Sequence, residues 1–141
     1  GYTEKADEYQ EIMDRLSKKW ETAKTLVPRP IIDSKNSKIG IIAYGTSDAP
    51  MAEARHILSN KNIQTDYLRL RAIPFTDSVV KFIEQHERVY VIDQNRDAQM
   101  FGLLQHEYPH LHTKLQSITH YDGTPITAEH IFEPIQMKEG V

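Results

Sequence analysis

Four short apolar or β-branched runs, at 39–44, 63–70, 88–92 and 115–120, are each followed by a stretch of helical periodicity, at 48–59, 76–86, 97–107 and 127–136. Strand then helix, repeated in that order, leaves few solutions. Strands joined through a helix lie parallel, their crossovers are right-handed, and the helices cover the sheet. The expected fold is α/β, a small and mostly parallel sheet flanked by helices. Its punctuation fits: Pro50 falls in the first turn of its helix, Asp77 and Ser78 can cap theirs, and Asn62 stands where a left-handed residue would end the helix before it.

A long helix precedes this body. Over 4–26 the residues Tyr9, Ile12, Met13, Leu16, Trp20 and Ala23 return at spacings of three and four, and Val27 continues the stripe. Acidic residues cluster early and lysines late, which suits the helix dipole, and Pro28-Arg29-Pro30 stops the helix. The stripe is too apolar to be left in water, so the helix is expected to pack on its own sheet layer or on another chain. Residues 27–38 read as a polar connector, dividing the chain into 1–38, helix and connector, and 39–141, the α/β domain. A start at Gly1 rather than Met leads us to expect a native chain that extends further upstream.

Charge and composition narrow the function. With 17 Lys plus Arg against 20 Asp plus Glu, the net charge of -3 disfavours nucleic acid or an anionic membrane as partner. Cysteine is absent, which removes disulfides, thiol nucleophiles and thiolate-held zinc or iron–sulfur clusters from this chain. The run at 39–44 is far shorter than the roughly 20 residues that span a bilayer, and the N-terminus has no signal-peptide core, so the expected location is cytoplasmic.

In an open α/β sheet, ligands and partners meet the carboxyl ends of the strands. Here these ends are polar: Gly45-Thr46-Ser47-Asp48, Arg69-Leu70-Arg71, Asp93-Gln94-Asn95-Arg96-Asp97 and His120-Tyr121-Asp122-Gly123-Thr124. Thr46 and Ser47 open a helix whose free N–H groups could hold an anion, although neither a dinucleotide fingerprint nor a P-loop is present; a tight turn with a helix cap is the plainer account. Arg69 and Arg71 alternate about Leu70, so both need water, a carboxylate such as Asp93 or Asp122, another subunit, or a CoA phosphate. Asp97 is a natural N-cap, whereas Gln94, Asn95 and Arg96 are left to anchor loops or face a partner. No Ser–His–Asp set or spaced carboxylate pair can be argued from these residues, and none is assigned as catalytic.

His106-Glu107-Tyr108-Pro109-His110 matches the H-E-x-x-H pattern of zinc peptidases, with His112 close behind. That chemistry needs both histidines one turn apart on a helix. Pro109 should end the helix near Glu107, so surface histidines are expected here and no metal site is assigned.

Taken together, IGIIAYGTS (39–47), DYLRLRAIPF (66–75), VYVIDQNRDAQM (89–100) and HYDGTPIT (120–127) resemble the C-terminal domain of the alpha subunit of 2-oxoacid:ferredoxin oxidoreductases, particularly the 2-oxoglutarate type. The resemblance runs over about 39–135, and 9–28 resembles the helix that leads into that domain. The family often has Glu at the position of Asp93 and Gly at those of Ala98 and Asn62. The resemblance implies a fold like the transketolase C-terminal domain, in an enzyme that decarboxylates a 2-oxoacid on thiamine diphosphate with Mg²⁺, reduces ferredoxin through an iron–sulfur cluster, and forms an acyl-CoA. This chain has neither cluster ligands nor a thiamine diphosphate motif, so the implied role is a non-catalytic assembly and closure domain, inactive alone, beside the rest of the alpha subunit and a beta subunit. Thr46, Ser47, Arg69, Arg71, Gln94, Asn95, Arg96, Tyr121 and Asp122 are then its expected subunit-contact or CoA-facing residues. The alternative is a stand-alone flavodoxin-like module that binds a small ligand or a protein.

Overall fold

The structure is a computed structural model, and it describes residues 3–140. Helix α1 (Ala6–Leu26) leads into strand β1 (Ile31–Asp33), followed by β2 (Ile39–Tyr44), α2 (Met51–Asn60), β3 (Thr65–Leu70), α3 (Asp77–Gln85), β4 (Arg88–Asp93), α4 (Gln99–Glu107), β5 (Leu115–Thr119) and α5 (Glu129–Glu139). Short 3-10 turns at Gly45–Asp48 and Pro109–Lys114 join β2 to α2 and α4 to β5. The five strands lie in the order β1-β3-β2-β4-β5. All neighbours are parallel except β1, which runs antiparallel on β3 with Ile32 opposite Leu68.

Because side chains alternate across a strand, each central strand feeds two cores. Ile41, Tyr67, Tyr90 and Ile92 point to one face, against Met51, Ala54 and Leu58 of α2 and Ile131 and Ile135 of α5. Ile42, Leu68, Val89 and Val91 point to the other, against Val79, Phe82 and Ile83 of α3 and Met100 and Leu104 of α4. Burial on both faces is why these strands read as near-continuous apolar runs. Gly40 belongs to the second face for a steric reason, since a Cβ there would lie 2.7 Å from Cε1 of Phe82 and 3.2 Å from Cγ of His86.

Three expectations are corrected. First, the stretch 27–38 contains a strand: Ile31–Asp33 pairs at the sheet edge, and its residues are all exposed, so no burial pattern marks it. It is pinned from outside, with Arg55 donating to Asp33 at 2.6 Å and Asp66 accepting from the Ser34 hydroxyl and from the N–H groups of Lys35 and Ser37 at 2.8 and 3.0 Å. Second, Asp77 and Ser78 do not cap α3; Thr76 holds the N-cap position without a side-chain bond to the helix, and its hydroxyl pairs with that of Ser78 at 2.7 Å. Third, Asp97 does not cap α4. Ala98 occupies that position in the left-handed conformation (φ 50°), and Asp97 binds Arg96 instead. Of the two places expected for α1, its own sheet or another chain, the first does not hold, since α1 buries none of its residues on this sheet: Tyr9, Met13, Leu16 and Trp20 remain exposed, Trp20 by 50%.

Other expectations hold. Helix α4 ends at Glu107, and Asn62 is left-handed (φ 63°) just after α2. No helix among the described residues is long and apolar enough to cross a membrane.

Candidate functional site: a polar rim at the carboxyl ends of the strands

Parallel order places the ends of β2, β4 and β5 side by side, and Asp93, the last residue of β4, lies at their centre with no solvent exposure. Its Oδ1 accepts from the Tyr44 hydroxyl, the Asn95 amide and the Met100 N–H, each at 3.0 Å, while Oδ2 accepts from the Phe101 N–H at 3.1 Å. Asn95 in turn accepts from the N–H of Gln99 at 3.1 Å. Two side chains N-terminal to the helix thus satisfy the free donors of its first turn, the task sequence reasoning had given to Asp97. Burial, and then the Asp93 carboxylate, push the Tyr44 phenol up to about 12, so it stays a donor at neutral pH.

Gln94 ties the loops together. Its amide nitrogen donates to the hydroxyls of Thr46 and Ser47 at 2.9 and 3.0 Å, and its oxygen accepts from the N–H of Ile126 at 3.3 Å. Gly45 lets the chain leave β2 for this contact with φ +57°. Both hydroxyls accept from this one amide, and Ser47 is buried.

Arg69 does not pair with Asp93 or Asp122. It binds Asp48 at 3.0 Å, on a carboxylate that also accepts from Tyr67 at 2.7 Å. The Asp93 carboxylate is already filled by uncharged donors, which is the physical reason for the different partner. Arg71 leaves the strand altogether and borders a shallow cavity of about 270 Å³ with Tyr44, Gly45, Ile73 and Met100. Arg96 and Tyr121 face solvent. Asp122 accepts from the N–H and hydroxyl of Thr124 at 2.8 and 2.7 Å and lies 3.1 Å from Nε2 of His120. Of the nine expected residues, Thr46, Ser47 and Gln94 share one set of hydrogen bonds, Asn95 belongs to a second set around Asp93, and the rest lie about them. Asp93 and Tyr44, the centre of the second set, were not among them; an Asp that ends a buried strand was the available signal.

The rim contains no nucleophile held by a base among the described residues. His106 and His110 do not share a helix, since Pro109 opens the 3-10 turn, and both are exposed. The rim's hydrogen bonds join its loops, and Arg71, Arg96 and Tyr121 lie exposed around it.

No family model matches the sequence, and neither does any curated protein. Solved structures do. A 2-oxoglutarate:ferredoxin oxidoreductase from Magnetococcus marinus, determined with 2-oxoglutarate, coenzyme A and succinyl-CoA bound, is similar over 96% of this chain with TM-score 0.78 and 16% identity. A split-gene transketolase, an inactive beta4 tetramer, is similar over 77% with TM-score 0.65 and 14% identity. The fold is that of the transketolase C-terminal-like domain. The alpha chain of a probable 2-oxoacid ferredoxin oxidoreductase from Thermoplasma acidophilum is similar over 80% of this chain and 98% of its own, with TM-score 0.52 and 20% identity. Our transketolase-like chain spans 24% of the Magnetococcus chain and 40% of the transketolase chain. The likeness to the Magnetococcus chain cannot reach 96% without α1, so the leading helix belongs to the shared architecture.

Proposed function

We propose that this chain is a non-catalytic assembly and closure domain of the alpha subunit of a 2-oxoacid:ferredoxin oxidoreductase, with 2-oxoglutarate as the favoured substrate type. The observation that carries this reading is α1. It has an apolar stripe that its own sheet does not cover, inside a fold likeness that includes the helix. A stripe of Tyr, Met, Leu and Trp left in water is an interaction surface by default. In this reading the stripe packs on the rest of the alpha subunit or on a beta subunit.

Thiamine diphosphate, Mg²⁺, the iron–sulfur cluster and the CoA chemistry belong to other parts of such an enzyme. The chain has no cysteine for a cluster, and the rim's polar groups are bonded to one another rather than held open for a cofactor. Arg71, Arg96 and Tyr121 supply the outward polar contacts, and ferredoxin meets the complex elsewhere.

The test uses the full alpha chain expressed with a beta chain. Leu16→Glu with Trp20→Glu should abolish co-sedimentation of the two and, with it, viologen reduction by 2-oxoglutarate and CoA. An intact, active complex carrying both substitutions would overturn the reading, as would dye reduction by the 141-residue chain alone.

A further inference from the structure

We propose that His120, Asp122 and His130 form a binding site for one divalent transition-metal ion of the zinc type. This inference does not depend on the oxidoreductase reading.

The three residues come from different elements. His120 follows β5, with its N–H bound to the Asp93 carbonyl at 2.9 Å; Asp122 lies in the turn after it; His130 is in the first turn of α5. Folding brings one ligand atom of each within 4.8 Å of the others. Nε2 of His120 and Oδ1 of Asp122 are 3.1 Å apart. Two donors each about 2.1 Å from one ion stand roughly 3.0–3.4 Å apart in octahedral to tetrahedral geometry, so this pair is already at coordination spacing. The carbonyl oxygen of Thr124, 3.0 Å from the same nitrogen, offers a fourth donor position.

The ligands are also held from behind. Asp122 is oriented by the N–H and hydroxyl of Thr124. Thr127 holds the His130 ring in place, its N–H donating to Nδ1 at 3.1 Å and its hydroxyl lying 3.0 Å from the same atom. Outer contacts of this kind fix ring orientation in metal sites. His120 is more than nine-tenths buried, so its ring is already desolvated. The two imidazoles stack with centroids 4.0 Å apart. Two nitrogens with one carboxylate favour zinc, nickel or cobalt over magnesium or calcium. An ion here would clip the β5–α5 loop to the start of α5, and through Ile126 steady the Gln94 network.

Zinc chloride titrated calorimetrically into the metal-stripped chain is the test, with cobalt absorption as a second readout of ligand set. We expect one ion per chain with Kd below about 10 µM, a rise in Tm at saturating zinc, and at least a hundredfold weaker binding in Asp122→Asn and His130→Ala. Asp122 is exposed, so its variant leaves the fold unburdened should His130→Ala unfold. The exposed His106, His110 and His112 could scavenge zinc, so a variant with all three changed to Ala is the control and should bind as the parent does. Loss of binding in that control would overturn the proposal. So would an Asp122→Asn affinity equal to the parent's, or a parent that binds no tighter than about 10 µM.

Discussion

The Tyr44 hydroxyl donates to Oδ1 of Asp93 at 3.0 Å, from the end of one parallel strand to the end of its neighbour. The same carboxylate accepts the N–H groups of Met100 and Phe101, so a single buried side chain joins two strands and starts a helix.

Asp93→Ala should therefore be among the costlier substitutions in the chain. It strands a phenol, an amide and two backbone donors, for an expected loss of about 3–5 kcal/mol. A fall in Tm on the order of 10 °C is expected in thermal melts. Tyr44→Phe, which removes one donor and leaves the carboxylate its other three, should cost only about 1 kcal/mol.

Opposite signs are expected at two small residues. Ala98 is held left-handed at φ 50°, a strain of about 1–2 kcal/mol that glycine lacks. After the extra freedom glycine gives the unfolded chain, Ala98→Gly should stabilise by about 0.5–1 kcal/mol. Gly40→Ala should instead destabilise by about 1–3 kcal/mol, because the new methyl would have to displace Phe82. Denaturant midpoints of the two variants, measured side by side, check both.

Acid should uncouple the edge strand. Burial raises the Asp66 carboxyl, but the Ser34 hydroxyl and the N–H groups of Lys35 and Ser37 more than offset this and hold it below the usual carboxylate range. A carboxylate depressed by folding stabilises above its unfolded pKa, about 3.9, and loses that contribution as pH falls through this range toward its folded value. Asp66→Asn should be less stable by about 2–3 kcal/mol at pH 7. The gap to the parent should narrow below about pH 4. His86, with Nε2 at 3.3 Å, faces the same carboxylate, so His86→Gln measured over the same range separates its share.

Trp20, the chain's one tryptophan, is half exposed. Its emission in the isolated chain should be long-wavelength and open to acrylamide quenching, and should shift to shorter wavelength in the assembled alpha–beta complex. A short-wavelength emission in dilute isolated chain would mean that the stripe is covered within one molecule or between copies.

The central strands were legible because burial on two faces demands unbroken apolar runs, and α4 ended where Pro109 required. Ile31–Asp33 was not legible, since an exposed edge strand of three residues has no face to betray it. Capping was misassigned for a related reason. Adjacency in sequence favoured Asp97, whereas the buried end of β4 aims Asp93 at the same N–H groups from a distance no local rule contains. Arg69 found Asp48 rather than Asp93 or Asp122 because the nearer loop supplies an unspent carboxylate oxygen. The grouping of His120 with His130 needed the return of α5 across the strand ends, which spacing alone does not announce.

The reversed direction of β1 leaves a sheet margin only three residues long, with Asp33 turned aside to Arg55. So short a ladder offers too few free amides and carbonyls to recruit a strand from another molecule, so fibril-like growth from this side has nothing to build on. Replacing Ser34 and Lys35 by β-branched residues would lengthen that ladder and release it from Asp66. Such a chain should keep its fold and lose its solubility.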